Sequence, residues 1–211
     1  MVPPSASHTR GDGATSSLII ANCSGFYGDR FEAAEEMVTG GPIDVLTGDY
    51  LAELTMAILW RNRSKDPSAG YATSFLGQME AVMGTCLDRG IRVVTNAGGL
   101  NPRGLADRLR EVADRLGLSP SIGVVAGDDL MGRLSEIEEG RLAHADTGVP
   151  FSDIADRVLT ANVYLGGWGI AAALGAGADI VVTGRVADAS LVSGPAAWRF
   201  GWGPSDWDVL A

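Results

Sequence analysis

Five times in this chain a β-branched apolar run stops on a small or polar group, and each time a helical pattern follows. The runs are Val45-Leu46-Thr47-Gly48-Asp49, Val93-Val94-Thr95-Asn96-Ala97-Gly98-Gly99, Val124-Val125-Ala126-Gly127-Asp128-Asp129, Val158-Leu159-Thr160-Ala161-Asn162 and Val181-Val182-Thr183-Gly184-Arg185. An earlier run, Leu18-Ile19-Ile20-Ala21-Asn22-Cys23-Ser24-Gly25, makes a sixth. Continuous apolar strands, without the in-out alternation of a half-exposed sheet, are those buried on both faces. Alternation with helices then predicts an α/β fold: a mostly parallel open sheet of about six strands, with helices on both faces. In such sheets ligands bind in the crevice beyond the carboxyl ends of the strands, so the six run endings are where a site is expected.

The intervening residues supply the helices. A helix is expected over 30–38, closed by Gly40-Gly41-Pro42, and another over 50–60 with Asp49 as N-cap. Phe75, Leu76, Met79, Val82, Met83, Cys86 and Leu87 recur at helical spacing over 71–88, a stripe read as core packing rather than as an acyl pocket. Leu105, Leu109, Val112, Ala113 and Leu116 mark the next helix, and Asp128 is expected to start a short one. The apolar stretch from Gly166 to Gly184 carries Asp179 and reads as a helix plus a buried strand, not a membrane span. Residues 1–16 read as a flexible polar leader, leaving 17–211 as one domain.

Net charge is −10, and no basic stripe interrupts it. That field has the wrong sign for nucleic acid or an anionic membrane, so neither is an expected partner. Cys23 and Cys86 form no disulfide framework, and Cys23 reads as a small buried hydrophobe. His8 and His144 give histidine-based metal chemistry almost no material, and no Gly-x-Ser-x-Gly elbow occurs. No metal ligands are therefore assigned, although paired acids leave a divalent cation open. No secretory signal is visible, which makes the cytoplasm the expected compartment.

The candidate chemistry lies at the run endings. Asp49, Asp128 and Asp129 fall where helices start, and Asp is a preferred N-cap worth about 1 kcal/mol. Adjacent acids exceed what capping needs; in a desolvated cleft, repulsion would raise one pKa and create a proton donor or acceptor. Gly98 and Gly99 either make a tight turn or bare successive amides to an oxyanion. Arg185 follows an apolar strand directly, where its guanidinium would hold a carboxylate or phosphate or else pair with Asp188. Asp188 in turn reads as a cap for the last helix or a site acid. Asn96 and Asn162 offer orienting amides, and Ser24 a hydroxyl beside the first exit.

Ser24–Arg30, Gly48–Glu53, Thr95–Pro102, Gly127–Leu130, Thr160–Gly166 and Thr183–Leu191, in this order, resemble motifs of the acyclic terpene utilisation protein A family, formerly a domain of unknown function. The resemblance runs from about Leu18 to Ala211. It implies catabolism of branched acyl-CoA compounds, such as those derived from citronellol and geraniol. It also implies that the strand exits carry the site. The catalytic set would be Asp49, Asp128, Asp129 and Asp188, with Ser24, Asn96, Gly98, Gly99, Asn162 and Arg185 binding substrate. The expected function is an enzyme, or its N-terminal part, performing a lyase or hydratase step on an acyl-CoA or related carboxylic substrate. A CoA thioester is the expected ligand, with no redox cofactor. The alternative is a non-catalytic subunit that binds acyl-CoA or a partner enzyme. Family members continue beyond this length, so the sheet is expected to be incomplete at its C-terminal end. A homo-oligomer or a complementary C-terminal subunit would then complete it, with Trp202 and Trp207 as candidate contacts.

Overall fold

In the computed structural model, which describes residues 17–139 and 142–210, five parallel strands form one open sheet in the order β1-β2-β3-β5-β4. They are β1 (Ile20–Asn22), β2 (Val45–Gly48), β3 (Arg92–Thr95), β4 (Ile122–Val125) and β5 (Ile180–Thr183). The register places Leu46 beside Val93, and Val94 beside Val181. Successive side chains leave opposite faces of a strand. Accordingly Leu46, Val93, Ile180 and Val182 join one buried cluster, while Val45, Val94 and Val181 join another. Both faces are covered, which is why these runs do not alternate in polarity.

The first cluster contains α1 (Ala33–Thr39), α2 (Glu53–Lys65), α3 (Ser74–Arg89) and α4 (Pro102–Leu116). The second contains α6 (Trp168–Gly175) and α7 (Ser190–Phe200). Right-handed crossovers explain the split. The chain steps in one direction across the sheet from β1 through β2 and β3 to β4, then turns back to insert β5 between β3 and β4. Adjacent strands β3 and β5 therefore send their exits to opposite faces, which is the topological switch point where open sheets hold ligands. The leader expected over residues 1–16 lies outside the described residues.

Local chemistry sets the helix ends. Asn101 caps α4 by accepting the Gly104 N–H at 3.0 Å, and Pro102 occupies the first turn. Gly90 ends α3 at φ +69°, a conformation glycine adopts without strain. The stripe of α3 is core: Phe75, Met79, Val82, Met83 and Cys86 are buried, and the space beside Met79, Met83 and Cys86 admits no water.

The sixth run, Val158–Asn162, is not a strand. Its one ladder contact is an antiparallel bridge between Asp129 and Asn162, and two 3₁₀ turns, Phe151–Asp153 and Ala155–Arg157, precede it. It is tied to the β4 exit instead, through Leu130 N–H to Ala161 O at 2.7 Å and Val163 N–H to Asp128 O at 2.9 Å. Leu159 is left 47 % exposed. Three expected caps are also absent. Helix α2 starts at Glu53 behind Ala52, α7 starts behind Ala189, and a 3₁₀ turn at Met131–Arg133 leads into α5 (Leu134–Glu139). Each of the three aspartates is engaged elsewhere. Near the end of the chain Trp202 stacks on Phe200, and Trp207, in α8 (Trp207–Leu210), is 72 % exposed.

Candidate functional site

The exits of β2, β3, β4 and β5 meet through side chains. Asn96, fully buried after β3, accepts the Tyr50 N–H at 2.7 Å and donates to Asp49 Oδ1 at 2.6 Å. The amide thus fixes the β2 exit loop and aims the Asp49 carboxylate. Asp49 is half-buried. Burial pushes its carboxyl pKa up; the Asn96 hydrogen bond pulls it down, while the charge of Asp188 adds to the rise.

Arg185, after β5, is only 5 % exposed. Its guanidinium donates to Leu51 O at 3.0 Å and to Asp188 Oδ1 at 3.2 Å, and lies 3.9 Å from Glu53 Oε1. The Tyr164 ring covers it at 4.0 Å, a cation–π contact, and the Tyr164 hydroxyl donates to Glu53 at 2.7 Å. That hydroxyl holds the exposed Glu53 carboxyl below its usual pKa. Arg185 therefore carries the expected charge and also the expected ion pair with Asp188, whose own side chain is exposed.

Asp128 is buried after β4. Its Oδ2 accepts both the Arg185 backbone N–H at 2.8 Å and the Asn162 amide at 2.9 Å. The neighbouring Gly184 leaves room for it, since a Cβ there would lie 2.5 Å from the carboxylate. Asp128 consequently ties the β4 and β5 exits and the crossing segment together. Asp129 points away: it accepts the Met131 N–H at 2.9 Å and faces Arg63 at 4.0 Å.

Gly98 and Gly99 sit within a buried turn. The Gly99 N–H donates to Asn96 O at 3.1 Å, and the next two amides donate to Gly70 O and Gly98 O, both at 2.8 Å. A Cβ on Gly98 would meet Thr183 O at 2.4 Å, and one on Gly99 would meet Leu59 Cδ1 at 2.3 Å. Close packing against β5 and α2 is what these glycines provide. Ser24 lies at the β1 exit, where its hydroxyl donates to Phe26 O at 3.0 Å and its carbonyl accepts the Asp49 N–H at 3.0 Å. It supports the Asp49 loop from the neighbouring strand.

A cleft of about 140 Å³ opens beside Arg185, lined by Glu53, Met56, Thr160, Asn162, Tyr164 and Arg185. Glu53 and Tyr164 were not singled out from the sequence as site residues; they occur there only within the motifs Gly48–Glu53 and Thr160–Gly166. Cys23 is buried at the β1 exit with its thiol pushed up to about 11 by that burial, which suits a core residue and not a nucleophile. Among the described residues no three His, Cys, Asp or Glu side chains are grouped to hold a metal ion, and no helix is long and apolar enough to cross a membrane.

Residues 18–211 match the model of the family described as acyclic terpene utilisation family protein AtuA. Searches of curated proteins and of solved structures returned no match.

Proposed function

Because this chain belongs to the acyclic terpene utilisation family, we propose that it acts on an acyl-CoA or related carboxylic substrate in branched-chain or terpenoid catabolism, through a lyase or hydratase type of step. The observation that carries this reading is the meeting of Asp49, Asn96, Arg185 and Asp188 at the β3/β5 switch point, with the Asp49 carboxyl raised by burial. Addition of water across a carbon–carbon double bond, or its reversal, needs a group that moves a proton and a cation facing the acyl oxygen where negative charge develops. Asp49 would move the proton, and Arg185 would face the oxygen. Asn96 keeps Asp49 aimed, and Asn162 orients the acyl end within the cleft. Asp128 acts through the backbone of Arg185.

Native mass spectrometry with straight and branched acyl-CoA compounds tests this. A branched-selective adduct that disappears in Arg185→Ala is expected; a folded chain that takes up no acyl-CoA overturns the reading. One observation favours a non-catalytic, acyl-CoA-binding subunit instead: the guanidinium already serves Leu51 O and Asp188. Turnover of a bound branched acyl-CoA that falls in Asp49→Asn, with binding retained, separates the enzyme from the subunit.

A further inference from the structure

The Val158–Asn162 run poses a physical question. A run of this composition is ordinarily buried in a sheet, yet here it crosses the strand ends with Leu159 47 % exposed. Its apolar side chains face helix α2 across a groove. Ala57 lies on one wall, Ile154, Val158 and Leu159 lie on the other, and Glu53, Arg157 and Thr160 complete the lining. The groove is wide open to solvent and offers about 430 Å³. Glu53 and Thr160 line both this groove and the 140 Å³ cleft at Arg185, so the two adjoin.

We infer that this groove is the subsite for the hydrocarbon chain of the substrate, with its acyl end at Arg185. Given the acyl-CoA reading above, on which this rests, the cleft takes the reacting end and the groove takes the remainder. An open groove that adjoins a cation and presents Ala57, Ile154, Val158 and Leu159 beside a helix fits an amphiphile with one polar end. Ala57 is the residue that determines chain length: it is exposed on α2, and its small side chain leaves the groove open next to Glu53. Leu159 provides the opposing wall. The apolar run is thereby explained without a strand, because its side chains are covered by ligand.

The test compares binding of geranoyl-CoA and 3-methylbut-2-enoyl-CoA, which share the acyl end and differ in chain length. Wild-type protein is expected to prefer geranoyl-CoA by about tenfold or more, from the additional apolar surface buried. Ala57→Phe fills the groove and should abolish most of this preference while leaving affinity for the shorter compound unchanged. Leu159→Asn, from the other wall, should reduce it as well, and thermal melts of both variants establish that they are folded. If geranoyl-CoA binds with the preference intact in both variants, or the wild type shows no preference, the groove assignment is overturned and the acyl-CoA reading stands. If neither compound binds the folded wild type, the acyl-CoA reading itself fails.

Discussion

Replacing Asp128 separates a residue that reacts from one that holds the site together. The carboxylate is 3 % exposed and accepts two donors on one oxygen: the Arg185 backbone N–H at 2.8 Å and the Asn162 amide at 2.9 Å. Asp128→Ala strands the Arg185 N–H inside the protein, at a cost of about 1–3 kcal/mol. The Asn162 amide is half-buried, so water partly replaces its lost partner, and its share is smaller. A total of about 2–4 kcal/mol follows, which is a fall in Tm of about 5–15 °C for a chain of this size. Asp128→Asn keeps one carbonyl oxygen able to accept both donors and should cost about 1 kcal/mol or less. Urea denaturation gives the stability, and branched acyl-CoA turnover gives the function. Asp128→Ala within about 0.5 kcal/mol of wild type, the level of an ordinary surface change, would refute the tying role. So would Asp128→Asn that melts like wild type and yet abolishes turnover, because the carboxylate would then be reacting.

Three further outcomes follow from the same geometry. The folded pKa of Asp49 is raised above its unfolded value, so its contribution favours folding below the unfolded pKa of about 3.9 and is lost as pH rises through the folded value; Asp49→Asn should gain in Tm over wild type as pH rises from 3 to 7. Gly99→Ala must hold φ +51° and place a Cβ 2.3 Å from Leu59, and should lower stability by about 2 kcal/mol or more by urea denaturation. The thiols of Cys23 and Cys86, buried and pushed up to about 11 and about 12, should resist a thiol-specific dye at pH 8 until the chain is denatured.

Much of this arrangement was legible in the residues, because the strand runs were apolar without alternation and each ended on small or polar groups. Asn96, Asp49 and Arg185 were recognisable by their place after Thr95, Gly48 and Gly184. Their partners were not. Asp49 looked like an N-cap because its neighbours allow one, but α2 begins later, and Asn96 supplies a competing donor that only the β2–β3 pairing brings near. The same limit applies to Val158–Asn162. Composition cannot tell an apolar run covered by a sheet from one that lines a groove, and the Tyr164–Glu53 contact spans 111 residues. Gly98 and Gly99 illustrate the converse: the need for glycine was visible, but whether it served a ligand or the packing of Thr183 and Leu59 depends on tertiary approach.

The charges around Arg185 bear on the form of the acyl group proposed to bind there. One guanidinium faces Asp188 at 3.2 Å and Glu53 at 3.9 Å, with Asp49 close enough for the Asp188 charge to raise its pKa. A ligand bringing a further carboxylate must displace an acid already there, whereas a thioester arrives neutral and acquires negative charge on its oxygen only as the reaction proceeds. Stabilisation confined to the transition state is what accelerates a chemical step, so the acidic surround favours the thioester. Glu53→Gln tests this. Glu53 is exposed at the cleft wall, where it bonds Tyr164 and pairs with Arg185, so the fold should tolerate the change. Removing its charge should improve binding of free geranate by a few-fold, the modest effect of an exposed charge, and leave geranoyl-CoA almost unaffected. Equal gains for both, or tighter binding of geranate than of geranoyl-CoA to the wild type, would mean that the site is built for a free acid, with Arg185 as its counter-ion rather than as the group that meets a developing oxyanion.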